Sequence, residues 1–349
     1  MLLLSQYFKR ILRFSGIPLG LLFVIFSLLC AASFGAADIR YTDVIHSLNV
    51  HLFGINEPVG LKDRIIIELR LPRVLLALIA GAGLSIAGSV LQTVTRNPLA
   101  DPYLFGISSG ASFGAVVVLT LLGQGVLSHY GLTWIGLPIG ALIGAGLSVF
   151  IVLSMCGNDV GRQVERMLLS GVAVSFMFGA LSSLMLYFSS PQAAASVLFW
   201  SLGSFAKATW SGLMLPALVV VCCTAIILLF QRSIIAMKMG DETAHTLGIN
   251  VSLLRLGMLI LCSVITATLV ASCGGIGFVG LMIPHIIRLL FPGQLSLILT
   301  GALGGIFMIW VDVVARTLLS YQELPVGIIT AVIGSIFFLF ILKSRQQEG

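Results

Sequence analysis

The chain has 349 residues, of which 58% are hydrophobic and only 9% are charged, and its mean hydropathy is +1.11. Because about a quarter of the residues of soluble domains are charged, this composition excludes a soluble protein and predicts an integral membrane protein. The net charge of +6 does not indicate nucleic-acid binding, since the lysines and arginines lie mainly in the polar connections between apolar stretches.

We predict ten membrane-spanning helices, because the chain has apolar stretches long enough to cross about 30 Å of hydrocarbon. The apolar run 14–36 follows a basic N-terminus, and it is too long for the core of a signal peptide, so it is expected to be an uncleaved first span. Residues 38–70 are expected to form a mixed polar segment. The other predicted spans are roughly 71–92, 107–122, 134–155, 167–189, 211–230, 253–272, 277–290, 295–316 and 325–342. The sequence therefore predicts one polytopic all-α domain over residues 1–349.

Ten spans place both termini on the same side of the membrane, and the positive-inside rule selects that side. With a cytoplasmic N-terminus, 12 of the 19 lysines and arginines are cytoplasmic. These are Lys9, Arg10, Arg13, Arg96, Arg162, Arg166, Arg232, Lys238, Arg255, Arg288, Lys343 and Arg345. We therefore expect both the N-terminus and the C-terminus in the cytoplasm, with the remaining seven cations on the outer face.

The longest polar interruption in the second half of the chain is Gln231–Arg255. Its pattern predicts two short helices joined at Gly240. Asp241 is expected to cap the second helix, because a carboxylate can accept hydrogen bonds from the free amides of a first turn. Gly248 is expected to end that helix in a left-handed conformation.

This interruption is longer than a simple connection between two spans, which needs only a few residues. Ala244 and Leu247 would give its second helix an apolar edge. Two interpretations remain open from the residues alone: an ordinary solvated loop, or a surface on which a partner docks.

The residues offer no convincing catalytic or nucleotide-binding motif. Gly275–Gly280 fits GxGxxG but lacks the βαβ context of a dinucleotide site, so we expect a re-entry where glycine backbones pack closely. The six cysteines have no metal-binding spacing. Asp312 precedes Arg316 by four residues and can pair with it on one helix face. Since the spans hold few acids, an external ATPase is favoured over an ion-coupled carrier or an intramembrane enzyme.

Two further clusters can be either structural or functional. Thr95–Pro102 contains two prolines that interrupt a helix, so it is either a stiff turn or an inner gate. Basic residues before and within the second span, together with Arg316, can each snorkel to the membrane surface or jointly dock an acidic partner. The cations before and within the second span are Lys62, Arg64, Arg70 and Arg73.

Several segments together resemble the permeases of the cobalamin and iron-siderophore ABC importers, the FecCD family of type II importers. The matching segments are Leu69–Ala111, Gly240–Asn250, Gly274–Leu290, Asp312–Leu318 and Glu323–Leu342. The resemblance implies a homodimer of ten-helix subunits in the bacterial inner membrane. It also implies two cytoplasmic ATP-binding subunits, which use ATP and magnesium, and a periplasmic substrate-binding protein. The chain itself is then expected to bind no cofactor and no metal and to catalyse no reaction.

By motif position, the resemblance assigns three groups of residues. The ATPase-coupling set, on helices at about 231–252, is Gly240, Asp241, Glu242, Ala244, His245, Leu247 and Gly248. The cations expected to dock the binding protein are Arg70, Arg73 and Arg316, to which the neighbouring Lys62 and Arg64 are added. The inner gate corresponds to Asn97 and Leu99, with Val164 and Glu165 at a second constriction where some members have small hydroxyl residues. The expected cargo is a ferric siderophore or haem, with cobalamin as the alternative.

Overall fold

The structure is a computed structural model that describes residues 20, 22–35, 37–53, 60–121, 133–156, 164–291, 296–319 and 321–346. Within those residues every regular element is a helix. In chain order the helices are α1 (Leu22–Ser33), α2 (Tyr41–Phe53), α3 (Leu61–Val94), α4 (Ile107–Leu121), α5 (Thr133–Cys156), α6 (Val164–Tyr187), α7 (Pro191–Ser201), α8 (Trp210–Leu229), α9 (Gln231–Lys238), α10 (Asp241–Thr246), α11 (Val251–Cys273), α12 (Val279–Leu290), α13 (Leu297–Thr317) and α14 (Val326–Gln346).

The ten predicted spans correspond to ten apolar helices in the described part of the chain. Six of them, α3, α5, α6, α8, α11 and α13, are long and apolar enough to cross a membrane. The other four, α1, α4, α12 and α14, are shorter apolar helices. The all-α membrane fold predicted from the sequence is therefore confirmed, while residues 1–19, which include the basic N-terminus and the start of the first predicted span, lie outside the described residues.

The segment 38–70 is more ordered than the sequence suggested. It contains α2 and the first part of α3, which includes a π-helical turn at Ile65–Arg70. Buried Val44 and Ile66 form a small separate core with Ala32 at the end of α1. The segment was predicted only as mixed and polar, because its apolar residues are interspersed with polar and charged ones and it contains no apolar stretch long enough to span a membrane.

Helix α7 was also missed, although its first residues carry a helix-start signal. The Ser190 side chain accepts a hydrogen bond from the Ala193 amide at 3.3 Å, and Pro191 occupies the first helical position, where its missing N–H costs nothing. The helix has only 11 residues, which is too few to span, so a search for long apolar stretches merged it with the neighbouring connections.

Helix α3 is the centre of the bundle. Its most apolar window is 78% buried inside the protein, whereas the corresponding window of α8 is only 28% buried. Helix α3 packs against α8, α11, α12 and α13. It is therefore enclosed by protein, and its two ends position the residues of both candidate sites.

Small residues let the helices approach closely. A side chain on Gly110 or Gly114 of α4 would collide with the backbone of Gly144 or Gly140 of α5. Such contacts between backbones are a common way to pack helices in lipid. Helix α3 makes equivalent approaches to α13 and α12 through two pairs, Gly81 with Gly304 and Gly88 with Gly280.

The turn between α11 and α12 is held by backbone hydrogen bonds. The Gly275 amide donates to the Ser201 carbonyl at 3.3 Å, and the Ser204 amide donates to the Cys273 carbonyl at 2.8 Å. The Val326 amide joins the start of α14 to the same place, because it donates to the Gly203 carbonyl at 3.0 Å. The turn thus lies against the end of α7 and the start of α14, with too little space for side chains at Gly203 and Gly275. The predicted close packing of glycine backbones in Gly275–Gly280 is confirmed at Gly275 and Gly280, whereas Gly277 has open space beside it.

Candidate functional site

The predicted pair of short helices is present as α9 and α10. Gly240 joins them with a φ of +128°, and Gly248 follows α10 with a φ of +79°, a conformation that favours glycine. The Gly248 amide donates to the His245 carbonyl at 2.9 Å, and the Ile249 amide donates to the Ala244 carbonyl at 3.1 Å. These bonds satisfy carbonyls that a helix end leaves without partners, so Gly248 ends α10 as predicted.

Asp241 does not cap α10, and that prediction was wrong. Gly240 occupies the N-cap position, and no side chain makes a capping hydrogen bond there. The Asp241 carboxylate instead accepts a hydrogen bond from Arg255 Nη2 at 2.9 Å and pairs with Arg96. The Arg255 side chain is only 3% exposed, and a buried cation needs a counter-charge more than a helix end needs a cap.

Asp241 therefore connects three parts of the chain. Arg255 also donates from Nε to the Val94 carbonyl at 2.8 Å, so it ties α11 to the last turn of α3. Arg96 lies in the connection after α3 and reaches the same carboxylate. We call Asp241, Arg96 and Arg255 the Asp241 cluster, and it fixes the position of α10 on the ends of α3 and α11.

The charge of the Asp241 cluster persists at neutral pH. Burial raises the pKa of the Asp241 carboxyl. Hydrogen bonds from Arg255 and Arg96 lower this pKa by more than burial raises it, so the net pKa lies below its ordinary value. A lowered folded-state pKa gives stability that is complete above the ordinary carboxyl pKa and is lost as acid takes the pH through the lowered value. Protonation near neutral pH therefore does not release α10.

The outward face of α10 is formed by Glu242, His245 and Leu247, which are exposed. Leu247 is 64% exposed, whereas Ala244 is completely buried. The expectation that these two residues form one apolar edge was therefore wrong. Ala244 anchors α10 to the protein, and Leu247 projects an apolar side chain into the space beyond it. This face has the mixed apolar and polar character that a docking surface needs.

Replacing Gly248 by valine is expected to loosen the end of α10. Nothing lies within 4 Å of an added β-carbon at this position, so the cost is expected to come from the positive φ, and such backbone strain costs about 1–3 kcal/mol. Amide hydrogen exchange should show faster exchange over residues 241–249. Gly257→Val, in open space within α11, is the matched control because Gly257 lacks a positive φ. Equal exchange in both variants would contradict the role of Gly248.

The connection after α3 is a stiff turn. The Asn97 side chain accepts a hydrogen bond from the Leu99 amide at 2.9 Å, and the Ala100 amide donates to the Asn97 carbonyl at 3.1 Å. This self-bonded arrangement of an asparagine is typical of turns. It leaves Leu99 exposed at the tip. Val164 and Glu165 begin α6, but their side chains lie outside what the structure describes.

At the opposite end of the bundle, Arg70 is buried and holds the end of α1. Its guanidinium donates to the carbonyls of Ala32 at 2.9 Å, Ser33 at 2.6 Å and Ala37 at 2.7 Å. The last carbonyls of a helix lack partners within the helix and carry partial negative charge. Arg70 therefore satisfies the carboxyl end of α1 and the chain that follows it.

Arg73 and Arg316 share the buried carboxylate of Asp312. Arg73 Nε lies 2.9 Å from Asp312 Oδ1, and Arg316 Nη2 lies 3.2 Å from Asp312 Oδ2. The predicted pairing of Asp312 with Arg316 on one helix face is thus confirmed. Arg73 also reaches Glu323 at 2.9 Å. We call Asp312, Arg73, Arg316 and Glu323 the Asp312 cluster, and it joins α3 to α13 and to the connection before α14.

Burial divides the five cations that were expected to dock a partner. Arg70, Arg73 and Arg316 direct their guanidinium groups to partners within the chain. Lys62 and Arg64 are exposed, although Lys62 pairs with Asp43 at 2.9 Å. Docking by these cations stays a prediction, and the exposed side chains at Lys62 and Arg64 are the ones that a partner reaches without rearrangement of the protein.

Comparison with known proteins identifies the family. The FecCD transport family matches residues 21–344. The hemin transport system permease protein HmuU of Yersinia pestis is 37% identical over 81% of this chain and 84% of its own length. The cobalamin import system permease protein BtuC of Halobacterium salinarum is 38% identical over 85% of this chain and 77% of its own length.

A solved structure shows the same fold. It is described as an inward-facing conformation of an ABC transporter assigned to the metal-chelate type. It matches with a TM-score of 0.80 and 28% identity, over 95% of this chain and 99% of the solved one. The family match covers almost the whole sequence, and the helices that carry both clusters lie within it. The chain therefore belongs to the FecCD transport family and is a multi-span permease of the ABC transporter type.

Proposed function

We propose that this chain is the membrane subunit of an importer that carries an iron-containing chelate, either a ferric siderophore or haem, from periplasm to cytoplasm. The observation that carries this proposal is the family match together with its hemin-transport relative. Cobalamin is the second candidate, because the cobalamin-import relative is equally similar. The protein is expected in the bacterial inner membrane with both termini in the cytoplasm.

The energy for transport comes from a separate ATPase in this proposal. Two copies dock on a homodimer of this chain, each on the outward face of α10, where Glu242, His245 and Leu247 are exposed. The Asp241 cluster supports this role, because it connects α10 to the ends of α3 and α11. A displacement of α10 by the docked ATPase is therefore transmitted to the central helix α3. This chain performs no ATP hydrolysis itself in the proposal.

The direct test is reconstitution of the chain in lipid vesicles with its cognate ATPase and binding protein. A panel of ferric siderophores, haem and cobalamin should give ATP-dependent uptake of one iron chelate. Uptake of cobalamin alone would select the second candidate. Uptake that needs a proton or sodium gradient rather than ATP would overturn the proposal and indicate a secondary carrier.

Leu99 is proposed to line the inner gate with Asn97, because it is exposed at the tip of a stiff turn after the central helix. Leu99→Trp is expected to slow uptake severalfold in the reconstituted system, since a larger side chain narrows the path. Leu253→Trp, at an exposed position in α11, is the matched control and should transport normally. An unchanged rate in the Leu99 variant would place this residue away from the path.

Docking of the binding protein is proposed to use Lys62 and Arg64, whose exposed charges can steer an acidic partner. The double variant Lys62→Glu/Arg64→Glu is expected to slow association about tenfold at low salt, with a smaller effect at high salt because ions screen exposed charges. Surface plasmon resonance on the protein in nanodiscs measures the association rate at low salt and at high salt. Lys207→Glu reverses another exposed cation, and an equal effect in this control would contradict specific docking.

A further inference from the structure

The first part of α3 contains a π-helical turn at Ile65–Arg70, and Pro72 accounts for it. A proline within a helix has no N–H, and its ring collides with the carbonyl four residues earlier, which here belongs to Glu68. A π turn moves the hydrogen bonds to residues that are five apart, and the Leu71 amide accordingly donates to the Ile66 carbonyl. The wider turn therefore accommodates Pro72 while α3 continues through it.

The same proline leaves the Ile67 carbonyl without a backbone donor. In the π pattern this carbonyl accepts from the amide five residues later, and Pro72 has no amide hydrogen. The donor in an α-helix, the Leu71 amide, is already bonded to Ile66. Nε1 of Trp210, the first residue of α8, donates to the Ile67 carbonyl at 2.9 Å. Trp210 thus supplies the donor that Pro72 cannot.

This hydrogen bond joins two parts of the protein that have separate hydrophobic cores. Val44 of α2 and Ile66 of α3 belong to the small core at the end of α1. The main core begins at Val74 in α3 and at Leu213 in α8. Trp210 therefore ties the first part of α3 to the main bundle through α8.

The first part of α3 carries the two exposed cations that are proposed to dock the binding protein. Lys62 pairs with Asp43 of α2 at 2.9 Å, and Asp63 accepts a hydrogen bond from Ser47 of the same helix. Lys62 and Arg64 thus belong to a unit formed by α2 and the start of α3. Because each residue of an α-helix turns the chain by about 100°, the shift to bonds between residues five apart also sets the direction in which these cations point.

We propose that Trp210 is a positioning residue for docking of the binding protein. By supplying the missing donor it holds the π turn in one geometry, and the turn holds Lys62 and Arg64 in one direction. Groups that are already ordered lose less conformational freedom on binding, and this favours association. The inference rests on the proposed function, because it gives Trp210 a role in the docking step assigned to these two cations.

A double-mutant cycle of Trp210→Phe with Pro72→Ala tests the contact without any partner. Trp210→Phe keeps an aromatic ring and removes the donor, so amide exchange over residues 61–71 should quicken about fivefold, as expected for the loss of one ordinary hydrogen bond. Pro72→Ala gives Ile67 a backbone donor, namely residue 72 in a π turn or Leu71 in an α turn. In that background, Trp210→Phe should change exchange less than about twofold. Equal effects in both backgrounds would overturn the inference.

The matched control is Trp310→Phe, which removes an indole donor that bonds Ser27 Oγ at 3.3 Å and does not contact the π turn. Amide exchange over residues 61–71 should equal that of the wild type in this control. Faster exchange there would mean that the loss of any tryptophan donor loosens the segment, and the specific role of Trp210 would be wrong.

Association with the cognate binding protein tests the consequence, by surface plasmon resonance on the protein in nanodiscs. Trp210→Phe should slow association about threefold, because Lys62 and Arg64 are then less ordered. In a Lys62→Gln/Arg64→Gln background it should cause no further slowing, since Trp210 acts through these cations. Further slowing in that background would show that the indole contacts the binding protein directly, and would overturn the positioning role.

The same measurement separates this inference from the proposed function. A wild type that docks, with Trp210→Phe docking at the same rate, would contradict the inference and leave the proposed function intact. A wild type that does not dock would contradict the proposed function and the docking role with it. The exchange cycle would in that case still decide whether Trp210 holds the π turn.

Discussion

Replacing Asp312 by alanine is expected to lower the stability of the folded protein by about 3–5 kcal/mol, the usual cost of removing one partner from a buried ion pair. Asp312 is fully buried between Arg73 and Arg316. Arg316 also donates to the carbonyls of Phe34 and Ala31, but these neutral groups do not replace the lost negative charge. The change should appear as a large fall in Tm in detergent and as poor recovery of the purified protein.

Glu323→Gln is the matched control for this prediction. Glu323 contacts the same Arg73, but its side chain is 47% exposed, and exposed ion pairs contribute only about 0–1 kcal/mol. The control variant should therefore unfold within a few degrees of the wild type. If Asp312→Ala and Glu323→Gln have the same Tm, the Asp312 cluster does not stabilise the packing of α3 on α13.

Contacts with the end of α1 change how charge reversals at Arg70 and Arg316 should be interpreted. Reversal of Arg70 or Arg316 would remove hydrogen bonds to the end of α1 as well as any contact with a binding protein. A loss of docking in such a variant therefore has two causes that a binding assay cannot separate. Variants at the exposed Lys62 and Arg64 avoid this difficulty, because neither side chain is buried.

Hydropathy predicted the spans well because the cost of placing polar groups in hydrocarbon selects long apolar stretches directly. The same criterion missed α2 and α7, since neither helix spans. The close contact between α4 and α5 uses Gly110, Gly114, Gly140 and Gly144, because only small residues allow backbones to approach at that distance, but the sequence does not show which helices these glycines bring together. Gly240 and Gly248 were also identified from the sequence, since a turn with positive φ has a residue preference that is local.

Side-chain partners were predicted less well. Asp312 and Arg316 are four residues apart in one helix, so their pairing follows from helix geometry. Asp241 pairs with Arg96 and Arg255, which come from other parts of the chain, and a local helix-capping rule cannot identify such partners. The burial of Arg70 likewise depends on where the end of α1 lies. The contact between Trp210 and the Ile67 carbonyl also joins elements that are distant in the chain, and no spacing in the sequence marks it.

Replacing Asp241 by alanine is expected to cost about 2 kcal/mol, in the range for hydrogen bonds to charged groups. The cost is smaller than at Asp312 because the Asp241 side chain is 39% exposed. Amide exchange should quicken over residues 241–247, and transport in the reconstituted system should fall while its ATPase activity persists, because α10 is no longer fixed to α3 and α11. Arg96→Ala should have a smaller effect, since Arg96 is itself 42% exposed.

An acid titration and a double-mutant cycle make this prediction specific. The lowered pKa of Asp241 means that the wild type should lose this stabilisation only as the pH falls below the ordinary carboxyl value of about 3.9, and Asp241→Asn should lack that step. In the cycle with Arg255→Met, the second substitution should cost much less in the Asp241→Ala background, because the buried guanidinium has then already lost its carboxylate. Additive effects of the two substitutions would show that Asp241 and Arg255 stabilise the protein independently, and α10 would then be held by its apolar contact at Ala244.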